Sequence, residues 1–403
     1  MDGFRLLRSC YQRITMPQLL SVIWIDWYAY HVARFRALAE HPALMGRVTG
    51  LELVGGSGVH QNMVFRSGER GQLPIETLMP ESGWSNTSQT RMARLLWQKL
   101  DKLDPEVVLV PGYYTLPALA AALWAKRRGR KAILMTETTR DDHRRVWWKE
   151  AAKSRLIRTL FDAAIAGGSR HVSYLRELRF PSSHIGRLYD VVDNDFFRDG
   201  TAFIRKTETP ASSQVPDRYF LYVGRLAPEK NLESLIRTFA AARMRFMRSS
   251  LVLVGDGPLR GALESQVREA GLEPWVHFTG LKTTAEVLPY YAFAQGFVLP
   301  SRQEPWGLVV NEALASGLPV VVSNRCGCAG DLVGHGTNGF LFDADHEEQL
   351  TDSLCRLDRW GPKEREVASR RSAELISRYS PDNFAEEVLR LVRTLSFACR
   401  TAA

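Results

Sequence analysis

Glu304 and Glu312 bracket a Pro-Trp-Gly loop, and the residues between them could bind an anion. A short apolar run from Gly296 stops at Pro300, a polar loop follows, and a helical pattern opens at Leu308 and ends at Gly317, so the stretch reads as strand, loop, helix. Gly307 lacks a Cβ, which lets a ligand approach the free N–H groups of the first helical turn, where partial positive charge suits phosphate. Acidic residues near a helix start are also favoured by the dipole alone. Two glutamates flanking one such loop are a more demanding coincidence.

A second set of candidates lies in Gly224-Arg225-Leu226-Ala227-Pro228-Glu229-Lys230-Asn231, which follows the strand pattern of Tyr219 to Val223. Arg225 and Lys230 fall in one loop, where two fixed cations could clamp a diphosphate; the alternative for either is surface pairing, Lys230 with Glu229 or a neighbour. Gly255-x-Gly257 with Gly261 imitates a dinucleotide fingerprint, but its spacing is wrong and Pro258 interrupts it, which argues against hydride chemistry. Asp193-x-Asp195 and Asp343-x-Asp345 have a spacing that holds divalent metal elsewhere, yet neither is framed by a strand and a further ligand, so no metal site is expected. Asp141 and Asp142, among arginines, read as local ion pairs or an N-cap. His31, at a helix start beside Tyr28 and Tyr30, could contact a sugar or phosphate, or be an ordinary packed histidine. Glu137 could accept hydrogen bonds from hydroxyls, or be a strand-end charge in solvent.

These residues need elements to hold them. At 403 residues the chain exceeds what one core usually encloses, so two domains are expected. In the first half, strand-like runs at Leu20 to Trp27, Val48 to Val54, Glu106 to Tyr113, Ala132 to Glu137, Ala163 to Gly168 and Ile185 to Val191 alternate with helical patterns at Tyr30 to Glu40, Ser88 to Leu103, Leu116 to Arg128 and a long one from about Arg144. The second half alternates likewise from Tyr219 to Phe342. Such alternation implies α/β domains with parallel strands covered on both faces, whose ligands bind beyond the carboxyl ends of the strands. The polar, aperiodic stretch Asp199 to Arg218 marks the junction, giving domains 1–200 and 201–380, and residues 381–403 read as a terminal helix.

Composition bounds the partners. The net charge of +9 raises nucleic acid, an anionic membrane surface or a phosphorylated substrate, and no nucleic-acid-binding motif is present. Between Arg144 and Phe161, Trp148, Ala152, Leu156 and Leu160 share one helical face beside a basic stripe of Arg145, Lys149 and Lys153. That face either lies on an anionic bilayer or packs into the core. No apolar run approaches the about 20 residues that span a bilayer, and Met1 to Ile14 lacks the long apolar segment of a signal peptide. Five scattered cysteines point to a reduced, cytoplasmic setting and not to zinc, with peripheral contact to the inner membrane face still open.

The ordered motifs GRLAPEKN, LVGDGP, VHFTG, FVLPSRQEPWGLVVNEALASGLPVV and NGFLF resemble the nucleotide-binding domain of family-four retaining glycosyltransferases. The resemblance implies a GT-B fold of two facing Rossmann-like domains with a central cleft, and transfer of a sugar from a nucleotide-diphosphosugar to a hydroxyl acceptor, lipid-linked or not. It implies that Gly224, Arg225 and Lys230 hold the diphosphate, Glu312 the ribose and Glu304 the hydroxyls of the transferred sugar. Gly307 and Leu308 would meet phosphate and Gly280 the base, with no metal or other cofactor. The usual glycine-rich loop after the first strand is absent, and Thr136 and Glu137 stand where a histidine is usual, which leaves His31 as a partial substitute on the catalytic side. A nucleotide-sugar epimerase and a non-catalytic sugar-nucleotide-binding protein are the alternatives. The terminal helix would cross back onto the first domain.

Overall fold

The computed structural model describes residues 18–55, 71–142 and 145–400. Val-, Ile- and Leu-rich runs too apolar to face water on either side form two parallel sheets with helices packed around them. The N-terminal sheet contains β1 (Leu20–Trp24), β2 (Val48–Glu52), β3 (Ile75–Thr77), β4 (Val107–Pro111), β5 (Lys131–Thr136), β6 (Ala163–Ala166) and β7 (Ile185–Gly186), in the order β3-β2-β1-β4-β5-β6-β7. The C-terminal sheet contains β8 (Tyr219–Val223), β9 (Ser250–Val254), β10 (Val276–Gly280), β11 (Gly296–Leu299), β12 (Val320–Ser323) and β13 (Gly339–Phe342), ordered β10-β9-β8-β11-β12-β13.

Strand order reverses between β1 and β4 in one sheet and between β8 and β11 in the other. The loops leaving neighbouring strands diverge at such a reversal and open a crevice beyond their carboxyl ends. The loop after β8 carries Arg225 and Lys230, and the loop after β11 carries Glu304 and Gly307. The fold therefore brings the two sequence-distant candidate loops to one switch point.

Three parts depart from the sequence reading. The segment expected as a strand from Ile185 to Val191 pairs only through Ile185 and Gly186, because Leu188 takes a left-handed φ of 71° and turns the chain inward. The junction expected to be irregular from Asp199 to Arg218 is helical as far as Thr207, within a helix Asn194–Thr207 that packs on Leu288–Phe293 and Leu308–Ala315 of the C-terminal lobe. The chain thus changes lobes just before Asn194, earlier than the expected boundary at 200/201. The helix from about Arg144 begins at Trp147; Arg144 itself and Met1 to Ile14 lie outside the described residues.

The terminal helix Pro381–Arg400 crosses back to pack on helix Ala29–Glu40 of the N-terminal lobe. Phe384, Val388 and Leu391 are buried at this crossing. One face of the N-terminal sheet is thereby continuous with the core of the C-terminal lobe, while its other face has a separate core around Trp124 and Leu134.

Candidate functional site

The loop after β8 is seated by glycines. A Cβ on Gly255 would come 2.0 Å from the Gly224 carbonyl oxygen, and one on Gly257 would come 2.4 Å from that of Leu226. Glycine at both positions lets the 255–258 loop press under the cationic loop, where Leu226 N–H donates to the Asp256 carbonyl at 2.9 Å. A short turn, Pro228–Lys230, ends at Asn231 in a left-handed conformation, and the Asn231 amide donates to the Pro300 carbonyl at 3.2 Å, tying this loop to the one after β11. Arg225 is exposed and has no ion pair among the described residues. Lys230 does not pair with Glu229. Its Nζ lies 2.5 Å from Glu304 Oε2, with the side chains 19% and 11% exposed, and Ser301 Oγ donates to the same oxygen at 3.1 Å.

Gly307 has a φ of 103°, a left-handed conformation that caps helix Leu308–Ala315 and would strain any side chain. The Leu308 and Val309 N–H groups of the first turn have no acceptor within the helix and suit an anion. Behind this turn, Gly327 N–H donates to the Glu304 carbonyl at 3.0 Å and Cys328 N–H to that of Trp306 at 3.1 Å. Glu304 is thus pinned through both backbone and side chain. Gly280, also left-handed, closes β10 by accepting from Gly255 N–H at 2.9 Å.

The lobes meet over this loop. Trp306 is 1% exposed, and its ring lies where a Cβ on Gly168 would come within 2.5 Å, so the Gly167-Gly168 pair after β6 admits the indole. Gln303 donates to the Asp142 carbonyl at 2.8 Å, His171 Nε2 lies 3.0 Å from the Pro305 carbonyl, and Ser169 donates through N–H and Oγ to Asp331.

Glu312 differs from expectation. The carboxyl is 3% exposed, and its oxygens accept from Tyr30 of the N-terminal lobe at 2.5 Å and from Tyr291 at 2.6 Å. Burial raises its pKa to about 7, against the opposing pull of the two hydroxyl hydrogen bonds. One oxygen is thus engaged across the lobes by Tyr30 and the other within the C-terminal lobe by Tyr291, so a ribose hydroxyl would have to share or displace these partners. His31 is half-buried and stacks on Trp24 at 4.7 Å; its Nδ1 lies 3.3 Å from Tyr28 N and 3.1 Å from the Asp26 carbonyl. Burial and the nearby Arg34 cation hold its imidazole well below the usual range, so it is neutral. In this position His31 caps its own helix.

The basic stripe expected on the helix Trp147–Leu160 is partly internal. Arg145 and Lys153 pair with Glu150 and cover the Tyr174 ring. The face of Trp148, Ala152 and Leu156 points outward instead of into the core, and Trp147 beside it is 81% exposed. Among the described residues no helix is long and apolar enough to cross a membrane. The Asp-x-Asp triplets have local duties: Asp193 accepts from Phe196 N–H, Asp343 from Asp345 N–H, and Asp345 pairs with Arg325.

Sequence reasoning missed Tyr291, Asn311, Arg34 and Asp190. Asn311 accepts from Trp306 Nε1 and donates to the Asp190 carbonyl, joining the lobes. The available signal was charge inside apolar patterns: Arg34 on the face of its helix that points inward, and Asp190 between Tyr189 and Val191. Each implies a buried partner.

Residues 205–375 match the family model described as glycosyl transferases group 1. An uncharacterised glycosyltransferase of Methanocaldococcus jannaschii is 31% identical over 181 residues, 45% of this chain and 46% of that protein. A GDP-mannose-dependent alpha-(1-6)-phosphatidylinositol monomannoside mannosyltransferase of Mycobacterium tuberculosis is 29% identical over 44% of this chain and 47% of its own length. The chain spans about half the length of these curated relatives. Among solved structures, Anabaena HepE in complex with UDP superposes with a TM-score of 0.70 at 18% identity, covering 94% of this chain and 100% of that one. An alpha,alpha-trehalose-phosphate synthase (UDP-forming) from Burkholderia vietnamiensis superposes with a TM-score of 0.72 at 13% identity, covering 96% and 99%. The fold is of the GT-B type, as the sequence resemblance implied.

Proposed function

We propose that this chain, whose C-terminal lobe matches the glycosyl transferases group 1 family, is a retaining glycosyltransferase that moves a sugar from a nucleotide-diphosphosugar to a hydroxyl acceptor. The observation that carries this reading is the Lys230–Glu304 pair at the switch point, flanked by the exposed Arg225 and the helix start behind Gly307. When the glycosidic bond breaks, negative charge grows on the leaving diphosphate. Two fixed cations and unpaired N–H groups aimed at that charge stabilise it, and no metal step is needed in this scheme. Glu304, braced by Lys230 and Ser301, orients the hydroxyls of the transferred sugar. Departure of the phosphate on the face that the acceptor enters lets it take the acceptor's proton, which gives retention at the anomeric carbon. Titration with UDP, GDP and ADP in EDTA, followed by hydrolysis assays with their sugar conjugates, tests this. One nucleotide should bind without metal and its sugar conjugate should turn over; no binding by any of them would overturn the reading.

A lipid-linked acceptor at an anionic membrane fits the outer face of the N-terminal lobe. Trp147 and Trp148, 81% and 55% exposed, lie beside the exposed Lys149 and Arg155, and aromatic side chains next to cations suit an interface of anionic headgroups. The expected result is co-sedimentation with phosphatidylglycerol vesicles at low salt, lost in Trp147→Ser/Trp148→Ser and absent with phosphatidylcholine alone. The setting proposed is the cytoplasmic side, where the buried thiols of Cys326 and Cys328 stay reduced.

A further inference from the structure

A cavity of about 580 Å³ lies between the lobes at the end of helix Leu308–Ala315 opposite Gly307. Along that helix and along Ala29–Glu40 it begins one turn beyond the Glu312–Tyr30 hydrogen bond, at Ala315 and Ala33. Helices Asn194–Thr207 and Pro362–Ile376 and the start of Pro381–Arg400 complete its walls, so both segments by which the chain changes lobes border it. Its volume falls within the range of about 300–1,000 Å³ that small-molecule sites occupy.

Two polar atoms on these walls are buried without a partner. Ser316 is 2% exposed, and its hydroxyl has no hydrogen-bond partner among the described residues. The Asn194 amide donates from Nδ2 to the Ile376 and Tyr379 carbonyls at 3.1 and 3.0 Å, and its Oδ1 is left with none. Burying such groups unpaired is costly, so each calls for a partner that the chain itself does not supply. The hydroxyl can donate or accept and the amide oxygen only accepts, and an alcohol satisfies both.

The charges on the walls are already matched. Arg198 pairs with Asp195 at 2.7 Å and Asp199 at 2.8 Å, and Arg36 lies 3.9 Å from Asp193. Arg205 donates to the Ala292 and Ser316 carbonyls at 2.7 and 2.8 Å. No excess of cations is left for a phosphate. Glu40 and Asp382 stand exposed where water screens them, so an amine gains little there. Between the polar groups the walls are small and apolar, with Ala33, Ala37, Ala202, Ala315 and Ala373, which leaves room for the C–H face of a sugar ring.

We propose that this cavity binds a small, neutral, polyhydroxylated molecule the size of a mono- or disaccharide, with Ser316 and Asn194 as its hydrogen-bonding partners. The site is separate from the crevice and does not rest on the sugar-transfer reading. An occupant touches both lobes, so its binding adds to what holds them together.

The test is isothermal titration and thermal unfolding of the full chain with glucose, mannose, maltose and myo-inositol, beside inorganic phosphate and putrescine. Wild type is compared with Ser316→Ala, which removes the unpaired hydroxyl, and with Ala373→Trp, which adds bulk to the cavity from an exposed position. At least one of the four polyols should bind wild type and raise its unfolding midpoint. That binding should weaken roughly tenfold in Ser316→Ala, the scale of one lost hydrogen bond, and at least tenfold in Ala373→Trp. Without ligand the midpoint of Ser316→Ala should not fall, since its hydroxyl has no partner to lose; a purely structural role would lower it. Phosphate, which the loops at Lys230 and Gly307 suit, and putrescine should behave alike in all three chains. A cavity that holds water alone gives no polyol binding in wild type, and that result would overturn the proposal. So would polyol binding unchanged in Ala373→Trp, or a difference among the chains seen only with phosphate or putrescine. UDP and GDP titrations run alongside keep the two readings apart: wild type binding neither nucleotide refutes sugar transfer, and the polyol comparison still decides this site.

Discussion

Replacing Lys230 by alanine is expected to lower sugar transfer by roughly 10²–10³-fold while the chain stays folded. The turn Pro228–Lys230 keeps its shape through backbone bonds, Lys230 N–H to the Ala227 carbonyl at 3.0 Å and Asn231 N–H to that of Pro228 at 3.2 Å, so the ammonium is removed without losing the turn. What remains is a carboxylate at Glu304 with the Ser301 hydroxyl as its remaining side-chain partner among the described residues. A diphosphate then meets that negative charge with Arg225 and the helix start but without its central cation. The loss therefore has two sources: stabilisation of the leaving group is withdrawn, and repulsion is added. The double variant Lys230→Ala/Glu304→Gln separates them, because neutralising Glu304 should restore part of the nucleotide affinity and none of the turnover. Circular dichroism and nucleotide titration, beside the rates, make the comparison. Turnover near that of wild type in Lys230→Ala would refute the pyrophosphate cradle.

Lys230 and Glu304 are 74 residues apart in the chain. Their convergence was legible because each follows an apolar strand, and parallel sheets gather such loops at one edge. Gly307 was legible for a related reason: a glycine just before a helix pattern announces a conformation that other residues resist. Which side chain would hold which was another matter. Lys230 sits on Glu304 and not on Glu229, and Glu312 faces Tyr30 from 282 residues away. These pairings depend on how the lobes dock, and no periodicity within either lobe encodes that. Helix Asn194–Thr207 was hidden by its polar composition. Its buried residues, Phe197, Thr201 and Ile204, do fall at the helical spacing i, i+4 and i+7, but Gly200 and the polar Thr201 interrupt the apolar stripe, which the neighbouring helices complete. Leu188 hid the end of β7 in the same way, since a left-handed leucine is set by the turn it serves and has no local signature.

Glu312 gives the second large effect, and it appears in stability as a function of pH. In the folded chain its pKa is raised to about 7, above the 4.5 of an unfolded glutamate, because burial penalises the charged form more than the Tyr30 and Tyr291 hydroxyls favour it. The folded state therefore binds this proton more tightly than the unfolded state. The corresponding stabilisation is complete below pH 4.5 and is lost as the pH rises through about 7, a change on the order of 3 kcal/mol by pH 8. Glu312→Gln keeps the shape and allows a hydrogen bond to each tyrosine, with the amide donating one of them and no charge to bury. Its unfolding midpoint should exceed that of wild type at pH 8 and converge on it near pH 5. Glu312→Ala behaves differently, because it leaves two tyrosine hydroxyls facing a cavity at about 1–3 kcal/mol each and loosens the helix whose first turn meets the phosphate. Transfer should fall strongly in that variant while far-ultraviolet circular dichroism is retained. Denaturation midpoints at pH 5, 6, 7 and 8, with nucleotide titrations at each, distinguish the two roles open to this residue. A lost pH dependence with nucleotide binding intact in Glu312→Gln marks a tie between the lobes. An unchanged pH dependence with binding abolished would instead return Glu312 to the ribose contact that its spacing from Glu304 implied.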